Sequence, residues 1–269
     1  MTLQIKRIII KRHRRETACV FIAYIFKNLT MEVIMKGNIL YSELLVDFLA
    51  YKKQLVKKST YSNFAVICKN HIAPYWHGVK LCEITKNQVQ EYVFYLSNYG
   101  RLDKNTGLSP KTVRDILGVM KLSFKYAFKM GLMQDFSFKS IDLPKMAHSR
   151  RFCVLIDTEQ KNLLNAIYRD LNPKTAGILI AFATGIRIGE LCSLKMKDID
   201  LISNKIVINK TIQRIYDISS HSSYIDIGSP KTYSSDRAIP IPSRLGYILS
   251  GLCKSDNAEN FFDKFYHAA

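Results

Sequence analysis

Between Ser109 and Gly131 the chain carries apolar residues at helical spacing: Val113, Leu117, Met120, Phe124 and Phe128, with Leu132 beyond. That spacing draws one apolar line along an α-helix, and the two-residue alternation of a strand cannot reproduce it. Ser109-Pro110 supplies a cap and a first-turn proline, and Gly131 a stop. The pattern extends backwards. Tyr41, Leu44, Leu45, Phe48 and Leu49 share one face. A second helix opens near Ser59-Thr60, with Phe64, Ile67 and Cys68 apolar, and ends before Pro74. A third opens at the box Thr85-x-x-Gln88 and buries Val89, Val93 and Leu96. Asn98 to Gly107 is a polar loop. Residues 39–133 therefore read as a four-helix domain around one core.

The outer faces of these helices are basic. The chain holds 40 Lys and Arg against 22 Asp and Glu, a net charge of +18. The excess is +6 over residues 1–38, +8 over 39–148 and +4 over 149–269. Charge spread this widely suits an extended polyanion, double-stranded DNA, better than a membrane patch. No apolar stretch approaches the roughly 18–20 residues that a membrane-spanning helix needs, so no membrane partner is expected. The six cysteines sit far apart, without a Cys-x-x-Cys pair or a histidine at zinc-ligand spacing. They read as reduced core residues of a cytoplasmic protein, with no metal site.

Residues 1–38 differ from the rest. A basic run, Lys11-Arg12-His13-Arg14-Arg15, precedes an apolar run from Ala18 to Phe26, without the small-x-small site that would follow in a signal peptide. A DNA-contacting arm, an amphipathic helix and translation from an upstream start codon, with Met31 or Met35 the true start, all remain open. Residues 134–150 lack periodicity and read as a linker. Residues 151–269 form a second domain. Thr158 caps a helix running to Tyr168, and Lys174 to Thr184 is a nearly all-apolar helix expected to be buried on most sides. Ile188, Leu191 and Leu194 start another. Lys205 to Ile212 and Arg237 to Ile241 read as strands, separated by a long polar loop, Asp217 to Asp236.

Two stretches of this second domain carry chemistry. In Ala183-Thr-Gly-Ile-Arg187-Ile-Gly-Glu190-Leu191 a glycine breaks an apolar helix and an arginine follows, with Glu190 one turn on to orient its guanidinium. In Gly228-Ser-Pro-Lys231-Thr232 a lysine stands in a turn ahead of the strand Arg237-Ala-Ile-Pro-Ile. A planar arginine fork and a flexible ammonium suit a phosphate and its leaving oxygen.

Together, and behind a basic helical domain, these stretches resemble the tyrosine recombinases, or phage integrases, over roughly residues 39–250. Val56-Lys-Lys-Ser59-Thr60-Tyr61 and Leu108-Ser-Pro-Lys111-Thr112-Val-Arg114 stand where the family's core-binding domain has its motifs. The resemblance implies a mostly α fold with a small β-hairpin or sheet: a helical, SAM-like core-binding domain followed by a partial α+β catalytic domain. It implies site-specific DNA recombination and integration, with Ser59, Thr60, Tyr61, Lys111, Thr112 and Arg114 on double-stranded DNA and assembly as tetramers. In such an enzyme a tyrosine attacks the scissile phosphate and forms a 3′-phosphotyrosyl link, with no cofactor. Arg187 would stabilise the transition-state charge, Lys231 would protonate the leaving 5′ oxygen, and Glu190 would hold Arg187.

One part of the family pattern is missing. The family places His-x-x-Arg and then the nucleophilic tyrosine downstream of the lysine, and neither follows Lys231. The literal match His148-Ser-Arg-Arg151 lies upstream, in the linker, and Tyr266 near the end lacks the preceding motif. The chain therefore reads as a C-terminally truncated integrase. The alternative is a catalytically incompetent DNA-binding remnant, or an inhibitor of a full-length integrase.

Overall fold

Two hydrophobic cores organise the molecule, described by a computed structural model over residues 38–146, 154–230 and 235–253. By its internal contacts the chain divides into two units. One runs to Ser149 and includes Tyr216–Ser222; the other comprises Arg150–Ile215 and the chain from Ser223. The readings of the basic and apolar runs before Gly37 concern residues outside those described.

The first unit is built on four helices, α1 (Tyr41–Leu55), α2 (Lys58–Ile67), α3 (Lys86–Tyr99) and α4 (Pro110–Lys129). All five residues of the expected α1 face are buried, each large side chain contributing about 1.5–3 kcal/mol. Box and cap form as read. The Thr85 N–H donates to Gln88 Oε1 (2.8 Å) and the Gln88 N–H to Thr85 Oγ1 (3.3 Å). Ser109 Oγ accepts from the Thr112 N–H at 3.1 Å. Past α4, Gly131 takes φ +70°, and the Leu132 N–H reaches back to the Ala127 carbonyl (2.9 Å), closing the helix.

Two expectations for this unit are corrected. The second helical run does not end before Pro74. It passes through a π-helical turn, Cys68–Ile72, into Ala73–Tyr75, with Pro74 buried. The Ala73 N–H bonds five residues back, to Cys68; this wide turn accommodates a proline that has no N–H to give. Phe128 is not in the core but 52% exposed, and Ala127 is buried in its place. From Phe124 a step of four over-rotates a helix of 3.6 residues per turn, and a step of three returns to the apolar line.

Residues 134–146 have no helix or strand, yet they are tied down. The rings of Phe136 and Phe138 lie 5.0 and 5.4 Å from Phe124. Gln90 donates to the Asp142 carbonyl (3.2 Å) and accepts the Asp142 N–H (2.7 Å).

The second unit carries α5 (Asp157–Arg169), α6 (Pro173–Thr184), the single turn α7 (Ile188–Leu191) and α8 (Ser243–Cys253). Strands β1 (Ile199–Asp200), β2 (Lys205–Ile208) and β5 (Arg237–Pro240) form one antiparallel sheet in the order β1-β2-β5, with Ile206 opposite Ile199 and Ile239. Strands β3 (Thr211–Asp217) and β4 (Ser222–Gly228) pair separately. Ile180, Leu191, Ile206, Ile208 and Leu249 lie in the core of this unit.

Four details depart from the sequence reading. The cap of α5 is Ile156, not Thr158, because the Glu159 carboxylate reaches back to the Ile156 N–H (2.9 Å). Helix α6 buries Ala176, Leu179 and Ile180 but leaves Ile178 and Phe182 44% and 45% exposed, so it is covered on one face rather than most. The run Lys205 to Ile212 divides between β2 and β3, which join different sheets. The polar loop contains β4, whose residues are largely exposed; without a buried face, no sustained alternation marks the strand.

Candidate functional site

The turn that presents Arg187 is shaped by two glycines. Helix α6 ends at Gly185 in the left-handed conformation (φ +64°), which costs a residue with a Cβ about 1–2 kcal/mol. At Gly189 a Cβ would stand 2.7 Å from both the Ile212 carbonyl oxygen and Thr211 Oγ1. Only a glycine lets α7 lie this close to β3, and that approach turns the next residue, Glu190, inward.

Glu190 is 2% exposed and is held by two arginines. Arg187 Nη1 donates to Oε1 (2.8 Å) and the Arg187 backbone N–H to Oε2 (3.2 Å). Arg237, the first residue of β5, donates from Nη1 to Oε1 (3.3 Å), from Nη2 to Oε2 (2.9 Å), and from Nη1 to the Ser235 carbonyl (3.1 Å). Each carboxylate oxygen thus takes one N–H from each arginine. Burial raises the Glu190 pKa, but the hydrogen bonds from Arg237 and Arg187 outweigh it and hold the carboxyl below its usual range. The two guanidiniums differ in access: the Arg187 side chain is 69% exposed, that of Arg237 31%. Arg187 is therefore anchored at one nitrogen and open to solvent on the rest of its fork, a geometry that fits a tetrahedral anion.

Lys231 and Tyr266 lie outside the described residues. Arg187 and Glu190 meet as expected. Arg237 was read only as the start of a strand. Its signal was a basic residue at the head of an otherwise apolar strand, just after the lysine turn.

A second basic feature lies in the helical unit. An open groove of about 640 Å³ between α2 and α4 has Phe64, Ile67, Val119 and Leu122 on its floor and Lys111, Arg114, Lys121 and Lys125 along α4. Of the expected DNA-contacting residues, Lys111 and Arg114 line this groove. Lys111 also pairs with Asp115 (2.8 Å), and Arg114 Nη2 donates to the Pro144 carbonyl (3.0 Å). Thr112 shares a hydroxyl hydrogen bond with Ser109 (2.8 Å) at the helix cap. Ser59, Thr60 and Tyr61 sit in the first turn of α2, outside the groove lining; Tyr61 packs on the first core with Lys53 Nζ 5.9 Å from its ring centroid. Lys121 and Lys125 went unread, although the spacing 111, 114, 118, 121, 125 gives the helix a second stripe. At 3.6 residues per turn it lies about 130° around α4 from the apolar one. Among the described residues no cluster of His, Cys, Asp or Glu could hold a metal, and no helix is long and apolar enough to cross a membrane.

Comparison with known proteins agrees with this architecture. Residues 40–97 match the phage integrase N-terminal SAM-like domain. The chain is 30% identical over 225 residues to the integrase of Staphylococcus phage L54a, covering 77% of this chain and 60% of that protein. It is 29% identical over 180 residues to a tyrosine recombinase XerC-like protein of Caldanaerobacter subterraneus subsp. tengcongensis, covering 63% of this chain and 43% of that one. The Tn1549 transposon integrase, solved in complex with a circular intermediate DNA, shares the fold with a TM-score of 0.60 at 20% identity, over 80% of this chain and 65% of that one. The chain spans about half the length of the curated relatives it matches. A SAM-like helical domain ahead of an α+β unit, mostly α with small sheets, is the architecture this chain shares with the integrase structure. Together the matches support a place for this chain in the tyrosine recombinase family.

Proposed function

We propose that this chain acts in site-specific DNA recombination, the α2–α4 groove seating on a duplex and Arg187 neutralising the scissile phosphate. The observation that carries this reading is Arg187 itself: a solvent-facing guanidinium anchored at one nitrogen to a buried, ionised carboxylate. Such a group is oriented before its ligand arrives, so it can stabilise a phosphate that gains charge in the transition state without reorganising. Lys231, three residues beyond the end of β4, would supply the proton to the leaving oxygen. The four cations of α4 would grip the phosphate backbone and set the position of the helix on the duplex.

Binding is tested with the full chain and a fluorescein-labelled duplex, by anisotropy across a salt series. Log affinity should fall linearly with log salt, with a slope of about −0.9 for each phosphate neutralised. Lys121→Gln with Lys125→Gln should make that slope shallower by roughly 1–2. No binding at low salt, or a slope unmoved by the double variant, would remove the groove from the DNA interface.

A further inference from the structure

We propose that Arg237 is a positioning residue for the phosphate site, holding Glu190 in place so that Arg187 faces its ligand in one orientation. The inference rests on the reading of Arg187 as a phosphate ligand and adds a residue that the motif pattern did not assign to the site.

Arg187 by itself is a poor anchor for Glu190. Its side chain is two-thirds exposed, and a water-facing guanidinium is readily drawn off its partner. Glu190, by contrast, is almost wholly buried, and a buried carboxylate with a weak partner is costly to keep ionised. Arg237 resolves this. It approaches with both Nη nitrogens, one to each carboxylate oxygen, and its side chain is less than half as exposed as that of Arg187. Its own place is fixed by the sheet, since Arg237 pairs with Ile208 and Ala238 with Val207. The Ser235 carbonyl fixes the guanidinium further. The chain of support therefore runs from the β2–β5 register to Arg237, to the plane of the carboxylate, and to the fork of Arg187.

Lysine at position 237 separates positioning from charge. It keeps the positive charge, but a single ammonium cannot bond both carboxylate oxygens in the plane of the carboxylate as the guanidinium does. The experiment uses the full chain and inorganic phosphate as the probe, following the arginine Nε–H resonances by NMR, with the Arg187 signal assigned by its loss in Arg187→Lys. In the unaltered chain the Arg187 signal should shift saturably with phosphate. Arg237→Gln should raise the midpoint at least tenfold, and Arg237→Lys at least fivefold, with the fold checked by circular dichroism. If Arg237→Gln does not fold, the lysine variant decides alone. A midpoint within twofold of the original in Arg237→Lys would reduce the role of Arg237 to its charge or to stability, and overturn the proposal. An Arg187 signal that ignores phosphate in the unaltered chain would instead overturn the reading of Arg187 on which the proposal rests.

Discussion

At Glu190 the direction of a pKa fixes a pH dependence. Its native value is lowered from the usual 4.5, so the ionised carboxylate favours the folded state. That contribution is fully present above about pH 4.5 and is lost as the pH falls through the lower native value. Glu190→Gln removes the titration. The melting temperature of the unaltered chain should therefore fall more steeply between about pH 5 and pH 3 than that of the variant; parallel curves would mean that Glu190 is not ionised as described. Arg187 and Glu190 were legible in the sequence because they are three residues apart on one turn, where side chains meet by helical geometry alone. Arg237 was not, because it lies 47 residues from Glu190. Only the pairing of β5 with β2 makes them neighbours, and no local pattern encodes that register.

Helix α4 was the most legible element, and it tests its own reading. Its cap, first-turn proline and closing glycine are local signals and all three formed. Phe128 misled because a printed spacing of four fits a helix only when threes are interleaved. Strand β4 stayed hidden because alternation appears only where one face is buried, and this strand has none. Pro74 misled because proline usually ends a helix, and the wide turn before it is set by packing rather than by composition. On the groove side of α4, Gly118 is exposed and a Cβ there would meet nothing within 4 Å. Alanine at 118 should therefore stabilise the helix by about 0.5–1 kcal/mol, read from the urea midpoint. The added methyl stands in the groove, so duplex affinity should fall as stability rises. Stability and affinity rising together would separate Gly118 from the DNA-facing surface.

At the scale of the whole molecule, α6 stands out because it shows Ile178 and Phe182 one turn apart on the same face. Replacing both with lysine should raise the concentration at which the full chain stays monomeric in light scattering, and should change stability by less than about 1 kcal/mol because neither side chain is buried. An unchanged solubility limit would exonerate that face. The domain-scale charge was legible at once, because composition needs no contacts to be read; the exposed face of α6 was not, because an apolar helix looks the same in sequence whether or not something covers it. The long-range tie between Glu190 and Arg237 also sets an order in time. The α7 turn can form early, from neighbours in the chain, but the strand that steadies it arrives only after a loop of dozens of residues has closed, a slow step. A nascent or half-refolded chain would carry the arginine without its aim, so the proposed phosphate site would assemble late and all at once, as β5 docks.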